Sequence, residues 1–167
     1  MTPEPQENPP APRGDNPARL VRPDRDLVAS VLDELELDYG IDDEGDLVAA
    51  DDGFRMYFVI RSDQQQQLLA VRTYYDRVFP IEAKPAVLGA LDAWNRETLW
   101  PKAYTLTQED GTVRMVTEYQ LMIPDRVNLD LLVGNLTYWM EAAVQFDGWI
   151  ADQLDWDDDL ESGSDDD

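Results

Sequence analysis

The segment AWNRETLWPKAYTL, residues 93–106, decides how this chain divides into elements. Apolar residues leading into it recur at helical spacing after Pro80, at Val87, Leu88, Leu91 and Trp94. Pro101 then ends the helix, because the residue before a proline is disfavoured in the helical conformation. The next residues, KAYTLTQ, favour a strand. We expect Trp94 and Trp100 to pack into the core at this corner, since large aromatic side chains at an apolar junction are usually buried.

A hairpin and a long helix follow this segment. After the turn EDG, the stretch TVRMVTEYQLMI alternates between two faces of a strand. One face carries Val113, Met115, Thr117, Tyr119 and Leu121, and the other carries Arg114, Val116, Glu118 and Gln120. Asn128 is a suitable N-cap for the last helix, along which an apolar stripe runs from Leu129 to Ile150. The second half of the chain therefore predicts two strands and a helix.

Upstream, four stretches show period-two alternation between turn or loop residues. They are LDYGI, DLVAA, FRMYFVI and LLAVRTYY, and together they predict an antiparallel meander. A helix precedes them, with Pro23 at its first position and Asp24 and Asp26 in its first turn. The order α-β-β-β-β-α-β-β-α has no βαβ alternation. It predicts an α+β fold, with a mainly antiparallel, twisted sheet of about five to six strands packed with three helices.

Composition divides the chain into one domain and two flanking segments. A chain of 167 residues with 43% hydrophobic content supports a single core, which we assign to residues 23–154. Residues 1–22 hold six of the eleven prolines and predict a disordered leader. Residues 155–167 hold seven Asp and one Glu without Lys or Arg, and predict a disordered acidic tail.

The residue types that are missing argue against most enzyme classes. The chain has no Cys and no His, which removes disulfides, thiolate nucleophiles, the usual zinc ligands and most hydrolytic triads. Neither glycine-rich nucleotide motif occurs. In the acidic stretch that begins at Asp42, the sixth position is Leu47, where a calcium loop needs glycine. We therefore predict no catalytic residue, no metal site and no cofactor. An enzyme that uses only carboxylates, Lys or Tyr is the remaining catalytic alternative.

The net charge of −23 restricts the partners. Such a surface repels phosphate backbones and anionic lipid, so we expect no direct binding to nucleic acid or membrane, unless the acidic run itself mimics nucleic acid. No run of about 18 apolar residues occurs, and the N-terminus lacks the apolar segment of a secretory signal. These features favour a cytoplasmic location.

The segment LDAWNRETLWPKAY, the Asp110-Gly111 turn, the strand TVRMVTEYQL and the long last helix resemble the YbjN family, over roughly residues 23–153. Members of that family are labelled as bacterial sensory transduction regulators and are similar in fold to type III secretion chaperones. The resemblance implies a non-catalytic, chaperone-like or adaptor protein. It also implies that the protein recognises a protein or peptide client through a sheet face or an apolar groove.

Eight residues are candidates for contact with that client. Four lie on the second, partly apolar face of the predicted sheet, and four lie around the helix-to-strand corner: Tyr57, Val59, Tyr74, Val116, Asn95, Arg96, Trp100 and Lys102. The alternative for the sheet residues is that a helix or a homodimer contact covers them. The alternatives for the corner residues are structural. Asn95 would cap the helix in the αL conformation, and Arg96 would pair with a carboxylate and bond free helix carbonyls. Lys102 would reduce the negative electrostatic potential around it.

Two further interpretations stay open at this point. The tail would carry the function if it binds a basic protein or mimics nucleic acid, in which case deletion of residues 155–167 abolishes binding. A homodimer is also possible, because an open antiparallel sheet has edges and the long apolar helix needs a surface to pack against.

Overall fold

The computed structural model describes residues 19–62, 67–123 and 126–154. The three helices are α1 (Arg25–Glu34), α2 (Lys84–Glu97) and α3 (Leu129–Gln153). The strands are β1 (Leu20–Val21), β2 (Tyr39–Ile41), β3 (Leu47–Asp51), β4 (Phe54–Ser62), β5 (Gln67–Pro80), β6 (Lys102–Thr107), β7 (Thr112–Ile123) and β8 (Val127–Asn128). The predicted tail and the first 18 residues of the predicted leader lie outside the described residues.

Six strands form one antiparallel sheet in the order β2-β3-β4-β5-β7-β6. The predicted α+β class and the predicted order of the main elements are confirmed. A two-stranded pair of β1 and β8 was not predicted, because two residues each are too short to show a periodicity. Through this pair Leu20 and Val21, at the end of the predicted leader, join the fold beside the start of α3.

All three helices pack on one face of the sheet, which we call the inner face. Its residues alternate along the strands with those of the other face. Phe58, Leu69, Val71, Tyr75 and Met115 are fully buried there, together with Leu32 of α1 and Phe146 of α3. The Tyr75 ring lies 5.1 Å from Phe146, and its hydroxyl donates to the Ala143 carbonyl at 3.0 Å. A single core between the helices and the inner face therefore holds the domain together.

The other face of the sheet, the outer face, has no helix over it among the described residues. Its ladder positions include Val48, Ala50, Arg55, Tyr57, Val59, Arg61, Leu68, Ala70, Arg72, Tyr74, Val78, Lys102, Tyr104, Leu106, Arg114, Val116, Glu118, Gln120 and Met122. Met122 is 56% exposed and Leu106 is 41% exposed, which a packed helix would prevent. This arrangement makes the fold a two-layer structure with one side of the sheet open.

The helix ends differ from the prediction at one place. Helix α1 begins at Arg25 rather than at Pro23, because Asp24 is its N-cap and its carboxylate accepts a hydrogen bond from the Leu27 N–H at 2.9 Å. The predicted cap of α3 is confirmed, since the Asn128 side chain accepts from the Leu131 N–H at 3.1 Å. None of the helices in the described part of the chain is long and apolar enough to cross a membrane.

The corner between α2 and β6 is built around two tryptophans. Trp94 is buried, and its indole N–H donates to the Pro101 carbonyl at 2.9 Å, which confirms its predicted place in the core. Trp100 is half-buried, with its ring 5.6 Å from that of Tyr119, and the Trp100–Pro101 peptide bond is cis. The aromatic residues of the opening segment thus join α2 to the edge of the sheet.

Candidate functional site

The outer face brings together most of the residues that the sequence singled out. In one row across four strands, Tyr57 of β4 lies opposite Arg72, Arg72 lies opposite Glu118, and Glu118 lies opposite Lys102. The next row runs through Arg55, Tyr74, Val116 and Tyr104. The candidates Tyr57, Val59, Tyr74, Val116 and Lys102 therefore share one surface.

A polar cluster lies at the centre of this surface. Glu118 is only 8% exposed, although it is on the open side of the sheet. Its carboxylate accepts hydrogen bonds from the Arg72 guanidinium at 2.9 Å, from the Tyr104 hydroxyl at 2.8 Å and from the Gln120 amide. We call these four residues the Glu118 cluster. It forms because register places one carboxylate between an Arg, a Tyr and a Gln on neighbouring strand positions.

The ionisation of this cluster is fixed at neutral pH. Burial raises the pKa of Glu118. The hydrogen bonds from Arg72, Gln120 and Tyr104 together lower the pKa by more than burial raises it, so the pKa of Glu118 lies below its ordinary value. The hydrogen bond to Glu118 raises the pKa of Arg72. Burial, followed by the bond to Glu118, raises the pKa of Tyr104. The cluster thus holds an ionised carboxylate, a cation and a neutral phenol, and none of the three changes its protonation near pH 7.

Apolar groups surround the Glu118 cluster. The rings of Tyr57 and Tyr74 meet edge to face with centroids 5.3 Å apart, and Val59 is half-buried beside them. Val116 is completely buried and Ala70 is 4% exposed. Tyr57, Val59, Ala70 and Tyr74 line a concavity of about 500 Å³ over β4, β5 and β7, whereas the candidate Val116 lies beneath this surface and offers no area for contact. A surface of rigid aromatic rings around satisfied polar groups is the composition found at protein interfaces.

The charge of the outer face differs from that of the whole protein. Its ladder positions on β4 to β7 carry five cations, Arg55, Arg61, Arg72, Lys102 and Arg114. Among the paired positions described on these strands Glu118 is the one outward carboxylate, and Asp76 lies beside Arg55 at the irregularity in β5. The chain as a whole has 36 acidic and 13 basic residues. The outer face therefore concentrates positive charge in a strongly acidic protein.

Carboxylates in the loops and at the irregularity of β5 offset part of this charge. At the β2–β3 end, Arg61 contacts both oxygens of Asp46, at 2.6 and 2.7 Å, and lies 3.5 Å from Glu44. At the other end, Arg55 is 4.0 Å from Asp76. Arg114 lowers the pKa of exposed Asp110, after the larger effect of Asp110's hydrogen bonds with Thr112, and the Arg114 Nε is buried without a hydrogen-bond partner. The cations are thus best neutralised near β2 and least neutralised over β5, β6 and β7.

Lys102 and Asn95 are used within the fold. The Lys102 ammonium donates to the carbonyls of Asn95 at 3.2 Å and of Thr98 at 3.1 Å, so it caps the end of α2. The Asn95 amide donates to the Ala103 carbonyl at 2.8 Å and accepts from the Ala103 N–H at 2.9 Å. Asn95 lies inside α2, and Glu36 is the one non-glycine residue with positive φ among those described, so the αL interpretation of Asn95 was wrong.

The other two candidates at the corner lie apart from the centre. Arg96 is exposed on α2 and pairs with Asp92, one helical turn earlier, at 3.2 Å. Trp100 lies at the rim, where it lines a small cleft with Lys102, Tyr104, Glu118 and Gln120. The sequence reasoning did not select Arg72, Tyr104 or Glu118 as site residues. Alternation placed Glu118 on the second face, but only the strand register shows that it meets Arg72 and Tyr104 there.

Each edge of the sheet has a feature that limits pairing with another strand. Both hydrogen-bonding groups of Ala103 point away from β7, and the Asn95 amide occupies them. The opposite edge is β2, which has three residues, too few for an extended ladder. A second, apolar groove of about 510 Å³ lies between the end of α1, β3, β4 and α3, and includes Leu35, Leu37, Met140 and Val144. The outer face and this groove are two concave surfaces large enough for a segment of polypeptide.

Comparisons with known proteins give the family. The model of the YbjN family, described as "Putative bacterial sensory transduction regulator", matches residues 24–152. A crystal structure of YbjN from E. coli, described as "a putative transcription regulator", has a TM-score of 0.56 at 22% identity and covers 73% of this chain and 87% of that chain. At this identity the likeness concerns the fold alone. None of the curated proteins compared matches the chain. Since the family model spans residues 24–152, this protein belongs to the YbjN family.

Proposed function

We propose that this protein is a non-catalytic regulatory module that binds a protein partner on the outer face of its sheet. The observation that carries this proposal is the Glu118 cluster, a buried and fully hydrogen-bonded polar group at the centre of a sheet face that no described helix covers. A polar group that needs no partner of its own can be covered at little cost in desolvation. The apolar rings around it supply the area that favours association.

The chemistry of the site supports binding rather than catalysis. A general acid or base needs a pKa near the working pH, whereas the pKa values of Glu118 and Tyr104 are shifted away from neutrality in opposite directions. The chain also has no His or Cys to act in their place. We infer that the partner covers Tyr57, Val59 and Tyr74 as a packed surface and does not extend the sheet at its edges.

The same proposal includes a cytoplasmic location, for which a chain without Cys is well suited. It also treats a homodimer as one special case, in which the partner on the outer face is a second copy. The secretion-chaperone likeness stays a prediction, because binding through a sheet face does not by itself require the assembly of those chaperones.

Site-specific photo-crosslinking tests the proposal. A benzoylphenylalanine residue replaces Tyr57 on the outer face, Val144 in the apolar groove, or exposed Leu88 on α2 as the background control. After irradiation in the cells that make the protein, we expect one dominant adduct at position 57 that is missing at positions 144 and 88. An adduct at position 144 instead would show that the partner binds in the apolar groove and not on the outer face.

A matched pair of variants tests the same surface with the purified partner. Val59→Asp and Val144→Asp introduce the same charge on the same side chain, one on the outer face and one in the groove. We expect Val59→Asp to weaken binding at least about tenfold, since it places an unpaired charge against an apolar contact, and Val144→Asp to leave binding unchanged. Equal affinities of the two variants would contradict the proposal.

A further inference from the structure

The positive charge of the outer face is unbalanced over β5, β6 and β7. Arg114, Lys102 and Arg72 lie there, and the fixed anion at their ladder positions is Glu118, which three donors already occupy. Arg55 adds a cation from β4, and its guanidinium lies 4.0 Å from the nearest Asp76 carboxylate oxygen, which is too long for a hydrogen bond. The rest of the chain is strongly acidic, so this half of the outer face is the natural place for an acidic polypeptide.

The same chain contains such a polypeptide. Residues 155–167, DWDDDLESGSDDD, carry eight carboxylates and no Lys or Arg. They also carry Trp156 and Leu160, two apolar residues among the acids. Carboxylates for the cations and an indole for the Tyr57 and Tyr74 rings match the mixed chemistry of the outer face.

This segment starts close enough to reach the outer face. It follows Leu154 at the end of α3. Near that end, the ring centroid of Trp149 lies 5.1 Å from the ring centroid of Trp94 on α2. The Trp94 indole in turn bonds the Pro101 carbonyl, and the next residue is Lys102 on the outer face. Thirteen residues span up to about 43 Å when extended. Because the segment is tethered, its effective concentration at the outer face is about millimolar.

We propose that residues 155–167 bind the outer face of the same molecule, over Arg72, Lys102 and Arg114, and compete there with the protein partner. The competition rests on the proposed function, but the intramolecular contact does not. A partner that binds the outer face must then displace the segment, so the segment lowers the apparent affinity of the outer face for that partner.

The two lysines of the chain allow a direct test. Carbodiimide joins an amine to a carboxylate in direct contact, and the chain has Lys102 on the outer face and Lys84 at the start of α2 as an internal control. In the full-length protein at low salt, peptide mapping should show Lys102 joined to a carboxylate of residues 155–167. At 1 M NaCl the Debye length falls to about 3 Å, and we expect the yield to fall by about fivefold or more.

Matched variants identify the cations. Arg55→Gln with Arg114→Gln removes two charges from the outer face, and Arg25→Gln with Arg126→Gln removes two charges from exposed positions elsewhere. The first pair should lower the Lys102 adduct by about threefold or more, and the second pair should leave it unchanged, because screening confines the attraction to about 10 Å. Mixing isotope-labelled and unlabelled protein shows whether the adduct lies within one chain.

The possible results separate this proposal from the proposed function. An adduct at Lys84 alone, an adduct between two chains, or no adduct at Lys102 overturns the intramolecular contact. The photo-crosslinker at position 57 is then used in the full chain and in a chain that ends at Leu154. A partner adduct that rises about threefold or more in the shorter chain supports competition by a tethered segment. A tail adduct at Lys102 without any partner adduct at position 57 leaves the intramolecular contact standing and overturns the proposed function.

Discussion

At the scale of single residues, Glu118 shows how a charged side chain remains on an open sheet face. Its carboxylate exchanges water for three donors on β5, β6 and β7, so that most of its desolvation is offset by charge-assisted hydrogen bonds. The three strands are joined through their side chains as well as through their backbones. Glu118 therefore ties the geometry of the proposed site to the stability of the sheet.

Replacing Glu118 with Gln should destabilise the protein by about 1–2 kcal/mol, because it leaves Arg72 without its anion while solvent at partly exposed Arg72 screens part of the loss. Urea denaturation measures this change. Glu97→Gln, at an exposed position at the end of α2, is the matched control and should have little effect. A Glu118→Gln variant as stable as the wild type would show that the cluster does not stabilise the fold.

The effect of Glu118→Gln should also depend on pH. The pKa of Glu118 is lowered in the folded state, so its contribution is complete above the unfolded pKa and is lost as the pH falls through the folded pKa. We expect the stability difference between wild type and variant to be constant near neutral pH and to shrink below the ordinary Glu pKa of 4.5. A difference that grew on acidification would contradict this assignment.

At the scale of elements, Asn95 fastens α2 to the edge of the sheet. Its amide replaces the neighbouring strand that β6 lacks, by bonding both backbone groups of Ala103. Asn95→Ala should cost about 1–2 kcal/mol and speed hydrogen exchange at the Ala103 amide, since that N–H loses its acceptor. Asn95→Asp keeps the acceptor but not the donor, and should protect that amide better than Ala does. Equal exchange rates in Asn95→Ala and wild type would contradict the role.

Helix α3 contains two exposed glycines that its packing does not require. A Cβ added at Gly134 or Gly148 meets nothing within 4 Å, and both lie inside one continuous helix. Each change to Ala should stabilise the protein by about 0.5–1 kcal/mol, because Ala loses less backbone entropy on folding. Gly111→Ala is the control, since Gly111 has φ of +82° and the same substitution there should destabilise. Thermal or urea unfolding distinguishes the two directions.

At the scale of the whole molecule, the fold begins before the predicted boundary. The Leu129 N–H donates to the Arg19 carbonyl at 3.0 Å, and Val21 pairs with Val127. A chain that starts at Pro23 should therefore be less stable by about 1–2 kcal/mol than one that starts at Arg19, because it loses these bonds and exposes Val127. If urea denaturation gave the two chains equal stability, β1 would contribute nothing to the domain.

The sequence predicted the class, the order of the main elements and the cap at Asn128, because each depends on local periodicity or on a single local hydrogen bond. It also placed Tyr57, Val59, Tyr74 and Val116 on one face. It did not predict the Glu118 cluster, since Arg72 and Glu118 are 46 positions apart and meet only through the register of β5 and β7. The roles of Asn95 and Lys102 were missed for a similar reason, because both depend on how α2 lies against β6.

The two flanking segments of the chain join the domain at opposite ends of α3. Arg19 is hydrogen-bonded to Leu129, the first residue of α3, and Leu154 follows the last residue of α3. Residues 1–18 and 155–167 therefore join the domain at points about 37 Å apart, the length of a 25-residue helix. A label at Arg19 therefore lies far from a label at Leu154. The length of α3 thus separates the points at which the proline-rich and the acidic segments join the domain, so a component that holds the first segment meets the domain at the opposite end of α3 from the second.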